Sequence, residues 1–339
     1  MRQKLAQRIS IPLPQPQFLC FGTQPTFYVH HCVTVESVKI ILGLLVLIGA
    51  ASTAFFTVDK VRLAGIAAAG RSGQCSISAS MSIPQHFKEQ TAIKDKILAG
   101  SKRLQLEENY EEWQTPKRAY WIPRGSQFVL PFNLAEQAEH IYGTGEQAMK
   151  AGDVVLDCGA NIGVTIEEAL KAGAKTIVAI EPAPENLECL RRNFPTEIES
   201  GRVIIYAKGV WDKEEMLTMN IDPKNSAADS VVMKPEGSEG KIQVPLTTID
   251  KIVAELKLAK VDYIKMDIEG AEPNALRGAH DTIARWKPRL SIASYHVGTH
   301  STLIPQIVKE TRADYLTECG PCNEVKGEYR IRPEILYFR

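Results

Sequence analysis

Apolar positions along the chain fall into three regimes. From Ile40 to Phe56 the run IILGLLVLIGAASTAFF carries no charge and no polar stripe. It nearly reaches the ~20 residues that cross a bilayer's hydrocarbon core, Val38 and Val58 extend it, and Lys39 and Lys60 flank it where they can snorkel to the two interfaces. The pattern predicts a single transmembrane helix over 38–58, because a core helix of a soluble domain shows a polar face. A cleavable signal peptide is the rival reading, with Ala67-Ala68-Ala69 as the cleavage site, and the distance of the run from Met1 stands against it. Residues 1–37, with Pro12, Pro14, Pro16 and Pro25 and no lasting period, read as a flexible tail. Residues 59–85, rich in Gly, Ala and Ser, read as a linker. Residues 86–141 read as a helical, charged stem to about Trp113 and an aromatic lead-in.

From Gly152 onward short apolar runs alternate with helical periods, the pattern of a mostly parallel sheet covered on both faces. Strands are expected at Val154 to Leu156, Thr176 to Ile180, Val203 to Tyr206, Ile242 to Pro245, Tyr263 to Met266 and Leu290 to Ala293. Gly173 closes a helix from about Val164, while Pro184 and Pro273 open two more as first-turn prolines. Residues 142–339 are therefore taken as one doubly wound α/β domain of Rossmann-like class.

Composition changes this picture little. The chain is 44% apolar and 24% charged, with 40 basic residues against 40 acidic. A balanced charge argues against a nucleic-acid partner, which needs a surplus of Lys and Arg on one face. Flanking charges do not orient the membrane helix: Arg2, Lys4, Arg8 and Lys39 stand on one side, Lys60, Arg62 and Arg71 on the other. Seven scattered cysteines fit a reducing compartment better than a disulfide scaffold. Cys319-Gly-Pro-Cys322 spells a redox tetrad, but no helix follows it to lower a thiolate's pKa, so a hairpin turn is expected there.

Candidate chemistry gathers at strand ends. Asp157-Cys-Gly159-Ala-Asn161-Ile-Gly163 follows an apolar strand and opens a helix, and glycines at such a turn let a ligand approach the backbone. An acid heading the turn repels a pyrophosphate and attracts a cationic donor, which favours S-adenosylmethionine over a dinucleotide. Glu181, 24 residues further on, ends the next strand where an acid accepts from ribose hydroxyls. Asp267 and Glu269, in Lys265-Met-Asp-Ile-Glu-Gly-Ala-Glu272, are placed to face the same opening, and His296 follows the strand ending at Ala293. The expected order of bases for a hydroxyl proton is Asp267, then His296, then Glu269. Glu272 reads as a plain helix-start acid and His300 as solvent-facing. Three acids and imidazoles without further spacing do not define a metal site, so none is assigned.

VVLDCGANIG, AIEPAPENLECLRRNF and VDYIKMDIEGAEPNALRGA together resemble the FkbM family of methyltransferases, over roughly Tyr142 to Tyr295. That resemblance implies S-adenosylmethionine-dependent O-methylation of a sugar, glycan or secondary-metabolite hydroxyl. It places Asp157, Gly159, Asn161, Gly163 and Glu181 around the cofactor and Asp267 and Glu269 beside the methyl-transfer site. Ser294-Tyr295-His296 departs from the family pattern, in which a Glu is frequent after that strand. Cytoplasmic supply of the donor implies a catalytic domain on the cytoplasmic side. An NAD(P)-dependent oxidoreductase and a membrane-anchored nucleoside-binding protein without catalysis remain the alternatives.

Overall fold

A computed structural model describes residues 18–19, 33–222, 225–234, 240–325 and 327–339. Most of the expected tail, residues 1–37, lies outside them. Two units emerge, Met1–Gly65 and Ile66–Arg339.

In the first unit Val35–Thr57 is one helix of 23 residues, none of them buried. Thr34 caps it, its Oγ1 accepting from the Ser37 N–H at 3.1 Å. At 1.5 Å per residue the helix is about 34 Å long, against roughly 30 Å of hydrocarbon. With a mean hydropathy of 2.3 it is long and apolar enough to cross a membrane.

The second unit departs from expectation at its start. The helix Ile77–Ala99 begins inside the expected linker, because Ser76 caps it and Ala and Ser serve a helix as readily as a coil. Gly100 ends it. The expected helical stem then becomes a three-stranded antiparallel sheet, Lys102–Leu106, Tyr110–Gln114 and Ala119–Pro123. Alternation decides it: Glu111 turns inward and accepts from Trp113 Nε1 (3.1 Å) and the Gly125 N–H (3.0 Å). The helix Val129–Ala138 follows. Leu130 and Leu134 share a core with Ile97, Tyr120, Ile162 and Val164, which seats the lead-in beside the glycine turn.

The central sheet has seven strands: β1 Val154–Cys158, β2 Thr176–Ile180, β3 Val203–Tyr206, β4 Tyr263–Met266, β5 Arg289–Ala293, β6 Thr317–Cys319 and β7 Ile335–Phe338. Their spatial order is β3-β2-β1-β4-β5-β7-β6, with β7 antiparallel to both neighbours and the other pairs parallel. Dinucleotide-binding sheets run 3-2-1-4-5-6 without such an insertion. Pairing sets Asp157 opposite Lys265 across β1 and β4. The strand expected at Ile242 to Pro245 belongs instead to a separate sheet of Gly209–Val210, Glu215–Ile221 and Gly240–Thr247. The helix begun at Glu272 breaks after Arg277, since a Cβ at Gly278 would collide with the Trp211 carbonyl, and a second helix, His280–Trp286, restarts.

Cys75 and Cys322 form a disulfide across 247 residues of sequence. Such bridges persist in oxidising compartments, which runs against the expectation of reduced thiols. Spacing along the chain carries no trace of a pairing between such distant partners. Cys319 ends β6 as a free thiol, and the tetrad is not the hairpin turn expected of it: β6 pairs with β7, while Cys322–Val325 pairs with Arg330–Pro333 beyond it.

Candidate active site

β1 delivers the chain into Gly159 (φ +76°), Asn161 (φ +49°) and Gly163 (φ +96°). Position 159 tolerates only glycine: an added Cβ would meet the Asp267 carbonyl oxygen, so the turn closes directly against the end of β4. The turn's backbone donors are already committed. Gly159 and Ala160 N–H donate to the Ile180 carbonyl (3.0 and 3.1 Å), Gly163 N–H to the Ala160 carbonyl (2.9 Å), and Asn161 N–H to Glu181 Oε2 (2.8 Å). A diphosphate binds a helix N-terminus through free N–H groups, and this turn has spent these four internally.

Asp157 is not where its expected role requires. Its side chain is fully buried below the turn and lines neither cleft described next. Lys265 Nζ lies 3.3 Å from its Oδ1 and donates to the Gly159 carbonyl at 2.8 Å. Burial works against both charges. The carboxylates of Asp157 and Asp267 nevertheless hold the ammonium's pKa above its ordinary value, while burial leaves that of Asp157 raised. The pair is a neutralised strut beneath the site. Charge selection of a cationic donor therefore cannot rest on Asp157 by direct contact; the committed turn donors supply the discrimination instead.

Glu181 does face an opening. A narrow cleft is lined by Ile180, Glu181, Pro182, Val210, Met219 and Leu246, with Gly159 and Asn161 also on its wall. The Glu181 carboxylate is fixed by N–H donors from Asn161 and Ala183 (2.9 Å). Burial outweighs them and raises its pKa to about 7. Asp229 lines the same cleft; its Oδ1 accepts from the Asp222 N–H (2.8 Å), its Oδ2 is buried without a hydrogen bond, and burial pushes its pKa up to about 8. An apolar slot with two buried carboxyl groups suits an adenosine moiety, whose ribose hydroxyls both donate and accept and whose exocyclic amine donates.

A second, larger cleft is lined by Phe128, Phe132, Glu136, Tyr142, Lys265 and Tyr295. Gly159, Asn161, Ala227, Asp267 and Glu269 line both clefts, so the two meet there. Asp267 Oδ2 accepts from the Tyr142 hydroxyl at 2.5 Å. Glu269 sits in the left-handed region (φ +52°), a strained place for a non-glycine residue, and its carbonyl accepts from Ser230 Oγ at 2.7 Å. Burial raises the Glu269 pKa.

Beneath the junction His296 is enclosed by carboxylates. Its Nδ1 lies 3.0 Å from Glu272 Oε1, and its Nε2 is 3.3 Å from both Asp267 Oδ1 and Glu269 Oε1. Burial opposes a charge on the ring, but Glu269, Glu272 and Asp267 prevail and push its pKa up to about 11. An imidazolium has no lone pair to offer, which counts against His296 as the base. Glu272 is no surface acid: it is fully buried, accepts from the Ile268 N–H at 3.1 Å, and, against its burial, His296 and His300 hold its pKa down to about 2. His300 is likewise buried, its Nδ1 3.3 Å from Glu272 Oε2.

The strand-end positions of Gly159, Asn161, Glu181, Asp267, Glu269 and His296 thus converge as expected, while Asp157 underlies the site and Gly163, whose added Cβ would strike the Phe194 ring, serves helix packing. Sequence reasoning missed Tyr142, Lys265, Asp229 and the inward roles of Glu272 and His300. Glu272 and His300 carry signals that were legible: Glu272 lies five residues after Asp267 on one tight turn, and His300 lies four after His296.

Comparison with known proteins agrees with this geometry. The family profile described as Methyltransferase FkbM domain matches residues 157–320. The chain is 28% identical over 170 residues to the 31-O-demethyl-FK506 methyltransferase FkbM of Streptomyces tacrolimicus, covering 42% of this chain and 64% of that protein, which is less than two thirds of its length. It is 24% identical over 189 residues to the hexuronic acid methyltransferase AglP of Haloferax volcanii, covering 56% and 70%. Among solved structures it is similar to a methyltransferase FkbM from Methylobacillus flagellatus, at 16% identity and a TM-score of 0.43, covering 76% of this chain and 60% of that one.

Proposed function

Because residues 157–320 form a methyltransferase domain of the FkbM family, we propose that this chain transfers the methyl group of S-adenosylmethionine to a hydroxyl of a sugar, glycan or secondary metabolite. The observation that carries this reading is the meeting of two clefts at Asp267 and Glu269: a narrow, mostly apolar slot holding Glu181 and Asp229 on one side and a wider opening on the other.

The bound donor supplies an electrophilic methyl: the acceptor oxygen forms a C–O bond as the C–S bond breaks and its electron pair stays on sulfur. The chain's own residues do the rest. Glu181 takes the ribose hydroxyls, Asp229 takes a second donor in the same slot, and Gly159 and Asn161 border the passage to the acceptor. Glu269 is the base that receives the hydroxyl proton, since Asp267 is already engaged by Tyr142 and His296 is held protonated. Asp267 orients the acceptor oxygen instead. A raised carboxylate pKa makes Glu269 the stronger base, and alignment behind the methyl supplies most of the remaining acceleration.

The acceptor cleft sets Glu136, Asp267 and Glu269 against Lys94 and Lys265 and so has no surplus of basic side chains, which supports a small-molecule or glycan acceptor over nucleic acid. The helix Val35–Thr57 supports a single-pass membrane anchor that raises the local concentration of acceptors at a membrane surface. The Cys75–Cys322 bridge supports a domain in an oxidising compartment.

Calorimetry of the full-length protein in detergent tests the reading. S-adenosylhomocysteine is expected to bind one per chain and NAD not at all, and labelled methyl is expected to appear in hydroxyl acceptors. Binding of NAD alone would sink it in favour of an oxidoreductase. Binding of S-adenosylhomocysteine with no transfer to any panel of sugars or glycans would leave a nucleoside-binding protein.

A further inference from the structure

Four side-chain atoms at the floor of the junction, Asp267 Oδ1, Glu272 Oε2, His296 Nε2 and His300 Nδ1, are buried and make no hydrogen bond. Glu272 and His296 expose 0% and 3% of their side chains. An unsatisfied buried polar atom costs about 1–3 kcal/mol, and here the four stand in two pairs, Asp267 Oδ1 with His296 Nε2 and Glu272 Oε2 with His300 Nδ1, joined by the hydrogen bond between His296 Nδ1 and Glu272 Oε1. They are not far from partners: His296 Nε2 stands 3.3 Å from Asp267 Oδ1 and from Glu269 Oε1, and His300 Nδ1 stands 3.3 Å from Glu272 Oε2. The distances are short while the angles are wrong for hydrogen bonds. Ligand atoms around a common centre behave in this way. An octahedral shell with bonds of about 2.1 Å puts neighbouring ligands about 3 Å apart and opposite ones about 4.2 Å apart. One ligand atom each from Asp267, Glu272 and His296 already lies within 4.8 Å of the other two.

We propose that His296, giving up its ring proton, joins Asp267 and Glu272 in binding one divalent cation of the Mg²⁺ or Mn²⁺ type, with Glu269 at its edge. Two hard carboxylates with one imidazole suit Mn²⁺ best among such ions. Asp267 and Glu269 line both clefts, so the cation enters from the acceptor side, and Glu272 and His296 close its base. Its purpose rests on the methyl-transfer reading: a cation there takes the acceptor oxygen as a further ligand and lowers the hydroxyl's pKa, and the released proton passes to Glu269. Its binding does not rest on that reading.

The test uses full-length protein in detergent, stripped with chelator and titrated with MnCl₂, free Mn²⁺ being followed by electron paramagnetic resonance. One saturable site per chain is expected, with nitrogen-14 coupling from one imidazole in the pulsed spectrum of the unsubstituted protein. Asp267→Asn and His296→Gln should each weaken binding at least tenfold, whereas Glu255→Gln, on a distant exposed acid, should not. No saturable site, or a site without nitrogen coupling, overturns the proposal whether or not the variants fold. A thermal shift with S-adenosylhomocysteine separates the two readings. A shift without Mn²⁺ binding removes only the metal, and Mn²⁺ binding without a shift removes the donor and leaves the cation.

Discussion

The two halves of the site solve the problem of buried acids in opposite ways. On the side of β1 and β2, Glu181 is tied down by backbone N–H groups and Asp157 by Lys265, so each acid has a fixed partner and a structural floor. On the side of β4 and β5, Asp267, Glu269 and Glu272 crowd around His296 with several atoms unmatched. An acid held by a fixed partner of its own positions the turn or a ligand; acids crowded on one shared imidazole retain chemistry to perform. Substituting the first should therefore cost affinity or stability, and substituting the second should cost turnover.

The sharpest break of that contrast is at Glu269. Glu269→Gln keeps shape and removes the base, and kcat is expected to fall by about 10²–10⁴-fold, with the S-adenosylhomocysteine dissociation constant unchanged. Single-turnover methyl transfer alongside calorimetry reads both. Unchanged kcat would move the proton elsewhere, to Asp267 first.

On the satisfied side the largest effect should fall on stability. Lys265→Met leaves Asp157 charged and fully buried with its ion-pair partner gone, a change that costs about 3–5 kcal/mol in buried pairs. Adding Asp157→Leu should recover most of it, because an apolar pair replaces an ionic one. Urea midpoints of the two variants decide: if Lys265→Met alone is as stable as the parent, the pair is not the strut described above.

How much of this was legible in the sequence differs between the halves for the same reason. Strands β2, β3 and β4 begin and end where apolar runs and Pro184 or Gly173 placed them, since local signals fix them. The glycine turn and the acid at 181 were equally local. Lys265 was read past, although it stands in an otherwise apolar strand, because only the register of β4 against β1 brings it to Asp157. Tyr142 reaches Asp267 over a separation of 125 residues and the disulfide spans 247, distances at which spacing carries no information. The bridge is also testable. Reducing it in the folded protein should cost about 2–5 kcal/mol, mainly by freeing the unfolded chain, and the melting temperature with and without reductant measures it. No change would mean that the thiols are reduced in the protein as isolated.

The smallest effect, a pH dependence, separates the halves without any mutation. Glu181 has a folded pKa raised from 4.5 to about 7. The folded form thus prefers its proton, and its contribution to stability declines as pH rises from about 4.5 through 7, by at most about 3 kcal/mol. His296 runs the other way from its neighbours' charge: its stabilising effect is whole below about 6.5 and fades only as pH climbs toward 11. Between pH 5 and 7 Glu181 shares this loss with Asp229 in the same slot and with Glu136 and Glu269 on the acceptor side, whose pKa values burial also raises, so donor affinity rather than stability separates the halves. Ribose hydroxyls donate to an ionised Glu181, so S-adenosylhomocysteine affinity should rise several-fold from pH 5.5 to 8 and then level off. Glu181→Gln should bind more weakly and abolish the slope near 7. A slope that survives the substitution would assign the titration to Asp229, whose raised pKa of about 8 lies in the same slot.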